Sequence, residues 1–211
     1  MFTAIVFVMS DGRARLREVS RNAVRAQIGK TAEELFIANG FDETTVEEIA
    51  AEVGMSQRSF FRYFASKDEV VLNNYERLGD DLIGHLRSRP LDESEWDSLR
   101  RSFDLMVEEY SDDERRNHGA AIQRIIDSSP TLLAGFLKRM NQIQQRLTDE
   151  LETRAAERGD APDSIVLRAM VGAAFACLHA AISDVVTSNQ VDRIGSRLDL
   201  TMTVLRPCGQ T

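Results

Sequence analysis

The chain has 211 residues, four prolines, twelve glycines and a formal net charge of −8. That length suits one helical domain with a smaller one appended and buries a sizeable core. Two cysteines far apart, Cys177 and Cys208, point away from a disulfide framework and from a zinc site, and fit a reducing cytoplasm. Long stretches of 3.6-residue periodicity and the lack of repeated strand-like alternation predict an all-α protein.

The acidity is uneven along the chain. Residues 1–67 hold nine Lys/Arg and nine Asp/Glu, whereas residues 68–211 hold seventeen against twenty-five. The whole excess of negative charge therefore belongs to the second part, and the first part is balanced.

The opening MFTAIVFV lacks the basic start and long apolar core of a signal peptide, and it is too short to span a bilayer. It reads as an early start, with Met9 the true first residue, or as a tail that packs on a neighbour. Residues 1–16 are expected to form a flexible extension. Arg13, Arg15, Arg17, Arg21 and Arg25 crowd the next stretch with only Glu18 opposing them. They suit phosphates or an adjacent minor groove, or simply a solvated helix face.

A first helix is expected over residues 17–39, with Gly40 just past its end. Its Ile28, Ala32, Leu35 and Phe36 form a small core that Phe41 closes. Thr45 then caps a second helix, and Glu48 three residues on completes a capping box. Val46, Ile49, Ala50 and Val53 share its apolar face. Gly54 supplies a positive φ that stops this helix abruptly, and Met55 tucks under the turn. Ser56 opens a third helix over residues 57–64, burying Phe60 and Phe64 and presenting Gln57, Arg58, Ser59, Arg62 and Tyr63. This is a helix-turn-helix whose second helix fits the major groove.

Ser66 and Glu69 read as another capping box, launching a long connector helix through Val70, Val71, Tyr75, Leu78, Leu82, Ile83 and Leu86. Helices are expected over residues 95–110, 113–127, 131–158, 163–188 and 193–205. Ser129-Pro130 opens the third of these as cap and N1 proline, and residues 159–162 break the chain after it. Residues 207–211 form a tail.

Residues 23–75 carry a resemblance: AEELFIANGF, then TTVEEIAAEVGMS, then SFFRYFASKDE at fixed spacings. This pattern resembles the TetR family of bacterial transcriptional regulators. The resemblance implies a three-helix DNA-binding head over residues 17–68. A larger helical effector-binding and dimerisation domain then spans residues 69–206. It also implies a cytoplasmic, nucleoid-associated homodimer that represses a palindromic operator and is released by a small apolar or amphipathic effector. No enzyme activity and no cofactor are implied.

Carried over by position, the DNA contacts are Thr45, Gln57, Arg58, Ser59, Phe61, Arg62, Tyr63 and Lys67. Gln57 and Arg58 suit adenine and guanine edges; Arg62, Tyr63 and Lys67 suit phosphates. Two positions depart from the family pattern. Phe61 lacks the phenolic hydroxyl of the LYYHF motif found in relatives, and Glu47 stands where a basic residue is frequent. The effector pocket implied is lined by Leu78, Leu82, Phe103, Met106, Val107, Tyr110, Ile122, Ile126, Phe136, Met140 and Phe175, which equally suit core. His118 and His179 read as ligand-orienting or structural. Gly172, Ala173, Ala176 and Ala180 allow close approach of a partner helix in a dimer.

Two other readings are available from the residues. No HExxH, paired ExxH or phosphate-cradling motif supports an enzyme. A helical interaction module is the alternative that Glu47 and Phe61 suggest, and an activator without ligand-regulated repression is a further one, because the sign of regulation depends on where the operator lies relative to the promoter.

Overall fold

A computed structural model describes the backbone of residues 2–188 and 193–207, and the side chains of residues 16–185 and 193–207. The expected early-start segment, the side chains of Arg13 and Arg15, and Cys208 lie outside the described side chains. Among the described residues the structure is all-α. It divides into two compact units, Met1–Asn74 and Tyr75–Thr211.

The first unit holds α1 (Phe2–Asn39), α2 (Val46–Val53), α3 (Gln57–Phe60) and the start of α4 (Lys67–Ser88). Gly40 stands at φ 94° beyond α1, and Gly54 at φ 79° ends α2 in the left-handed region. Thr45 caps α2 with both halves of the box formed. Ile28, Ala32, Phe36, Ile49, Ala50, Phe60, Phe64, Val70 and Val71 are buried. Phe41 meets Phe36 edge-on at 5.0 Å between ring centroids.

The expected third helix is shorter than its sequence suggests. After Phe60 the bonding tightens: Arg62 N–H donates to Ser59 O and Tyr63 N–H to Phe60 O, three residues back. Burying both Phe60 and Phe64, whose rings lie 6.0 Å apart, is compatible with this narrower turn. The expected box at Ser66 is also altered. Ser66 Oγ accepts from Glu69 N–H, but the Glu69 carboxylate reaches back one residue further and accepts from Ala65 N–H at 2.6 Å.

The second unit comprises the rest of α4, then α5 (Glu95–Ser102), α6 (Asp104–Ser111), α7 (Asp113–Ser128), α8 (Pro130–Arg158), α9 (Ser164–Ser188) and α10 (Ile194–Val204). Ser129 caps α8, accepting from Leu132 N–H, with Pro130 in the first turn. The helix expected over residues 95–110 is two helices that bend at Phe103. No glycine or proline marks the bend. Phe103 is fully buried and meets Phe175 edge-on at 5.2 Å, so tertiary packing sets it.

The core of this unit gathers Leu82, Leu86, Trp96, Leu99, Phe103, Leu147, Leu151, Val171, Ala174 and Leu198. Trp96 Nε1 donates to Met202 O at 2.9 Å, so its one polar atom is satisfied. Arg154 is 3% exposed and donates to the carbonyls of Arg89 and Pro90, anchoring the loop before α5 to α8.

Within α9, Ser164–Val185 is long and apolar enough to cross a membrane by length and composition, but only 39% of that apolar window is buried within the monomer. Ile165, Val166, Ala176 and Ala180 are exposed, while Gly172 and Ala173 are half-buried. On α10, Leu200 and Val204 are exposed too. The two helices therefore carry more apolar surface than the monomer covers.

Candidate nucleic-acid interface

The helix-turn-helix presents two kinds of side chain. Gln57 and Arg58 lie on the first turn of α3, exposed, and neither bonds to any described side chain. Ser56 caps that turn, accepting from Ser59 N–H at 3.2 Å, and the Ser56 and Ser59 hydroxyls lie 3.0 Å apart. Phe61 is 50% exposed and stands perpendicular to Phe60 at 5.6 Å. A large apolar ring thus sits on the outer face beside Arg58 and Arg62.

Other expected contacts are engaged within the head. Thr45 N–H and Thr45 Oγ1 both donate to Glu48 Oε2, at 2.7 and 2.8 Å. These bonds from the Thr45 backbone and hydroxyl hold the Glu48 carboxyl below its usual range. Thr45 is therefore a cap whose donors are already directed at Glu48, not a free phosphate donor. Lys67 is likewise redirected. Its ammonium donates to the carbonyls of Phe41, Asp42 and Thr44 at 2.7, 3.2 and 3.3 Å and lies 4.4 Å from the Phe41 centroid. With its three protons so placed, Lys67 ties the α1–α2 turn to the start of α4 instead of reaching outward.

Arg25 shows the same inward role. Its guanidinium donates to Tyr63 O and, at 2.6 Å, to Asn73 Oδ1, and lies 3.7 Å from Glu69. Among the described arm arginines, Arg17, Arg21 and Arg25, it is the one that folds into the head. One and two helical turns earlier, Arg21 and Arg17 remain exposed. They line a cleft of about 570 Å³ with Leu16, Ser20, Arg62 and Tyr63. Among the described residues, three guanidiniums, a phenol and a hydroxyl converge there and no carboxylate lines it. Such a surface favours a polyanion. The sequence nominates Arg17 and Arg21 on the arm and Arg62 and Tyr63 after α3 separately; the structure brings the two sets to one cleft.

The residues expected to line an effector pocket lie mostly in the core. Leu82, Phe103 and Ile126 are at most 1% exposed and Ile122 is 6% exposed. Leu78, Met106, Val107, Met140 and Phe175 border that core, and Tyr110 and Phe136 are half-buried. Burial raises the Tyr110 phenol, with a smaller push from Glu109. The cavities described in this unit have other linings. His118 is half-buried and His179 exposed.

Residues 28–73, from the second half of α1 to the start of α4, match the bacterial regulatory proteins of the tetR family. The HTH-type transcriptional regulator TcmR of Streptomyces glaucescens is 34% identical over 66% of this chain. The helix-turn-helix head of this chain belongs to the TetR family of transcriptional regulators. Its relatives are regulators, not enzymes. The HTH-type transcriptional activator FasR of Mycolicibacterium smegmatis is 30% identical over 37% of the chain. These matches span 63% of TcmR and 36% of FasR, less than two thirds of either relative. SmeT, the repressor of a Stenotrophomonas maltophilia multidrug efflux pump, was solved in complex with triclosan. It superposes with a TM-score of 0.62 at 21% identity, over 90% of this chain and 94% of that one, a likeness of fold.

Proposed function

We propose that this TetR-family protein is a homodimeric repressor that binds a palindromic operator and releases it on binding a small amphipathic effector. The observation that carries the reading is the outer face of the head. Gln57 and Arg58 are free to meet base edges, and the Arg17–Arg21–Arg62 cleft is free to meet the phosphate backbone.

In this reading Arg58 pairs with guanine and Gln57 with adenine, Ser59 permits close approach, and Phe61 offers an apolar face to a thymine methyl. Arg62, Tyr63, Arg17 and Arg21 grip phosphates and set register. The head, residues 17–68, and the effector domain, residues 69–206, divide these tasks. The exposed apolar faces of α9 and α10 pair with their mates in the dimer, with Gly172, Ala173, Ala176 and Ala180 at the closest approach. A two-fold dimer places two heads about 34–36 Å apart, or a multiple of that, along DNA.

The effector shifts the equilibrium only by binding the DNA-incompetent state more tightly. The complex of SmeT with triclosan supports a small-molecule effector for this fold. The protein acts in the cytoplasm, on the chromosome. Activation is a second reading, favoured by the resemblance to the activator FasR, because the sign depends on where the operator lies relative to the promoter.

Nuclease footprinting on the DNA flanking its own gene tests the proposal. A protected palindrome is expected; uniform cleavage at low salt would refute it.

A further inference from the structure

The helical domain contains a groove between α4 and α8 of about 550 Å³, within the range of small-molecule sites. Tyr75, Glu76 and Asp80 line it from α4; Arg139, Ile143 and Arg146 line it from α8. The helices approach closely here: a Cβ on Gly79 would lie 3.0 Å from Ile143 Cγ1 and 3.2 Å from Arg146 Nη1. Two ion pairs tie them across the groove, and they are unequal. Arg146 Nη2 lies 2.7 Å from Asp80 Oδ1, a hydrogen-bonded pair. Arg139 Nη2 lies 3.5 Å from Glu76 Oε1, and Arg139 Nε is buried with no hydrogen-bond acceptor.

Arg139 is thus a largely buried guanidinium whose planar fork is poorly matched by its present partner. A buried donor without an acceptor is costly, and a carboxylate seated bidentately on the fork supplies two parallel charge-assisted bonds. Tyr75, which meets Phe136 edge-on at 4.9 Å, and Ile143 give the groove its apolar wall.

We propose that this groove binds a small amphipathic organic acid whose carboxylate displaces Glu76 from Arg139 and removes one of the two ion pairs that line the groove, leaving Asp80–Arg146 there and Arg87–Glu150 further along the same two helices. The site is distinct from the buried apolar residues that sequence alone nominates for the effector. Because α4 begins at Lys67 in the head, loosening it gives the acid a route to DNA affinity. That regulatory half rests on the repressor reading; the binding half does not.

The test is calorimetric titration of the full chain, without DNA, using 2-naphthoate and its neutral analogue 2-naphthamide. Wild type should bind the acid at least about tenfold more tightly than the amide, the scale of one charge-assisted contact. Arg139→Gln should abolish that preference, with an unchanged melting temperature excluding loss of fold. Glu76→Gln should tighten naphthoate binding several-fold, because the competing carboxylate is gone; a purely structural ion pair would not produce that gain. Equal affinity for acid and amide, no binding of either, or a preference that survives Arg139→Gln would overturn the site. Naphthoate that binds yet leaves DNA affinity unchanged would overturn its regulatory role. Failure of the ligand-free protein to bind DNA would instead sink the repressor reading and leave the calorimetric result standing.

Discussion

The guanidinium carbon of Arg25 lies 4.3 Å from the centroid of the Phe64 ring. Arg25 comes from α1, and Phe64 follows the turn that ends the recognition segment. The same guanidinium holds Tyr63 O and Asn73 Oδ1. One side chain therefore fixes the recognition segment against both α1 and α4, and the pose in which Gln57 and Arg58 are presented depends on it.

Arg25→Ala should destabilise the head by about 2–3 kcal/mol, combining lost charge-assisted bonds with a lost cation–π contact. Arg25→Lys should recover little, because an ammonium cannot reproduce the planar fork. Urea unfolding followed by circular dichroism measures both. Arg21→Ala, one turn earlier, should change stability by less than about 0.5 kcal/mol.

Lys67→Met should cost about 1–2 kcal/mol of stability by leaving the carbonyls of Phe41, Asp42 and Thr44 without their shared donor. Its DNA salt dependence should match wild type. A salt slope reduced by one unit with unchanged stability would return Lys67 to the role of phosphate clamp.

Arg58→Ala should narrow the gap between operator and random DNA by about 1–3 kcal/mol. Competition binding with single-base operator variants should place the lost preference at one guanine in each half-site. Equal losses on operator and random DNA would rule out base reading by Arg58.

Ala176→Glu should convert the proposed dimer to monomer, since it sets a charge on the exposed small-residue face of α9. Sedimentation velocity reads the change directly. A variant that sediments like wild type would move the dimer interface elsewhere.

The helical domain should lose stability in acid. Hydrogen bonding from Arg89 holds the Glu93 carboxyl below its usual value of 4.5, outweighing burial, and Ser98 assists. A folded-state pKa depressed in this way contributes stability that is full above the unfolded value and is lost as pH falls through the folded one. Glu93→Gln should flatten the decline in melting temperature below about pH 4.5, and leave the curve near neutrality parallel to wild type.

Local signals in the chain were enough to place most helices. The Thr45–Glu48 box, the left-handed Gly54 and the Ser129-Pro130 start are each set by neighbouring residues, and each stands as its chemistry requires. What escaped sequence reading depends on distant partners. The bend at Phe103 follows from Phe175, seventy-two residues away. Basic residues were the hardest to sort. Arg21 and Arg25 are indistinguishable by type and context in the sequence, yet one is exposed on the cleft and the other is folded beneath Tyr63. The Tyr63 carbonyl, the Phe64 ring, Glu69 and Asn73, all distant in sequence, separate them. The inward bonds of Lys67 are hidden in the sequence for the same reason, since its carbonyl partners belong to a turn more than twenty residues earlier.

The central claim, that the head reads DNA through α3 and grips it through the Arg17–Arg21–Arg62 cleft, is tested most directly by fluorescence anisotropy on operator and shuffled duplexes across a salt series. Wild type should prefer the operator by roughly 10³-fold or more, with affinity falling steeply as salt rises. Arg21→Ala should lower the salt slope by about one unit on both duplexes and keep the preference. Equal affinity for the two duplexes, or a salt slope untouched by Arg21→Ala, would contradict the account.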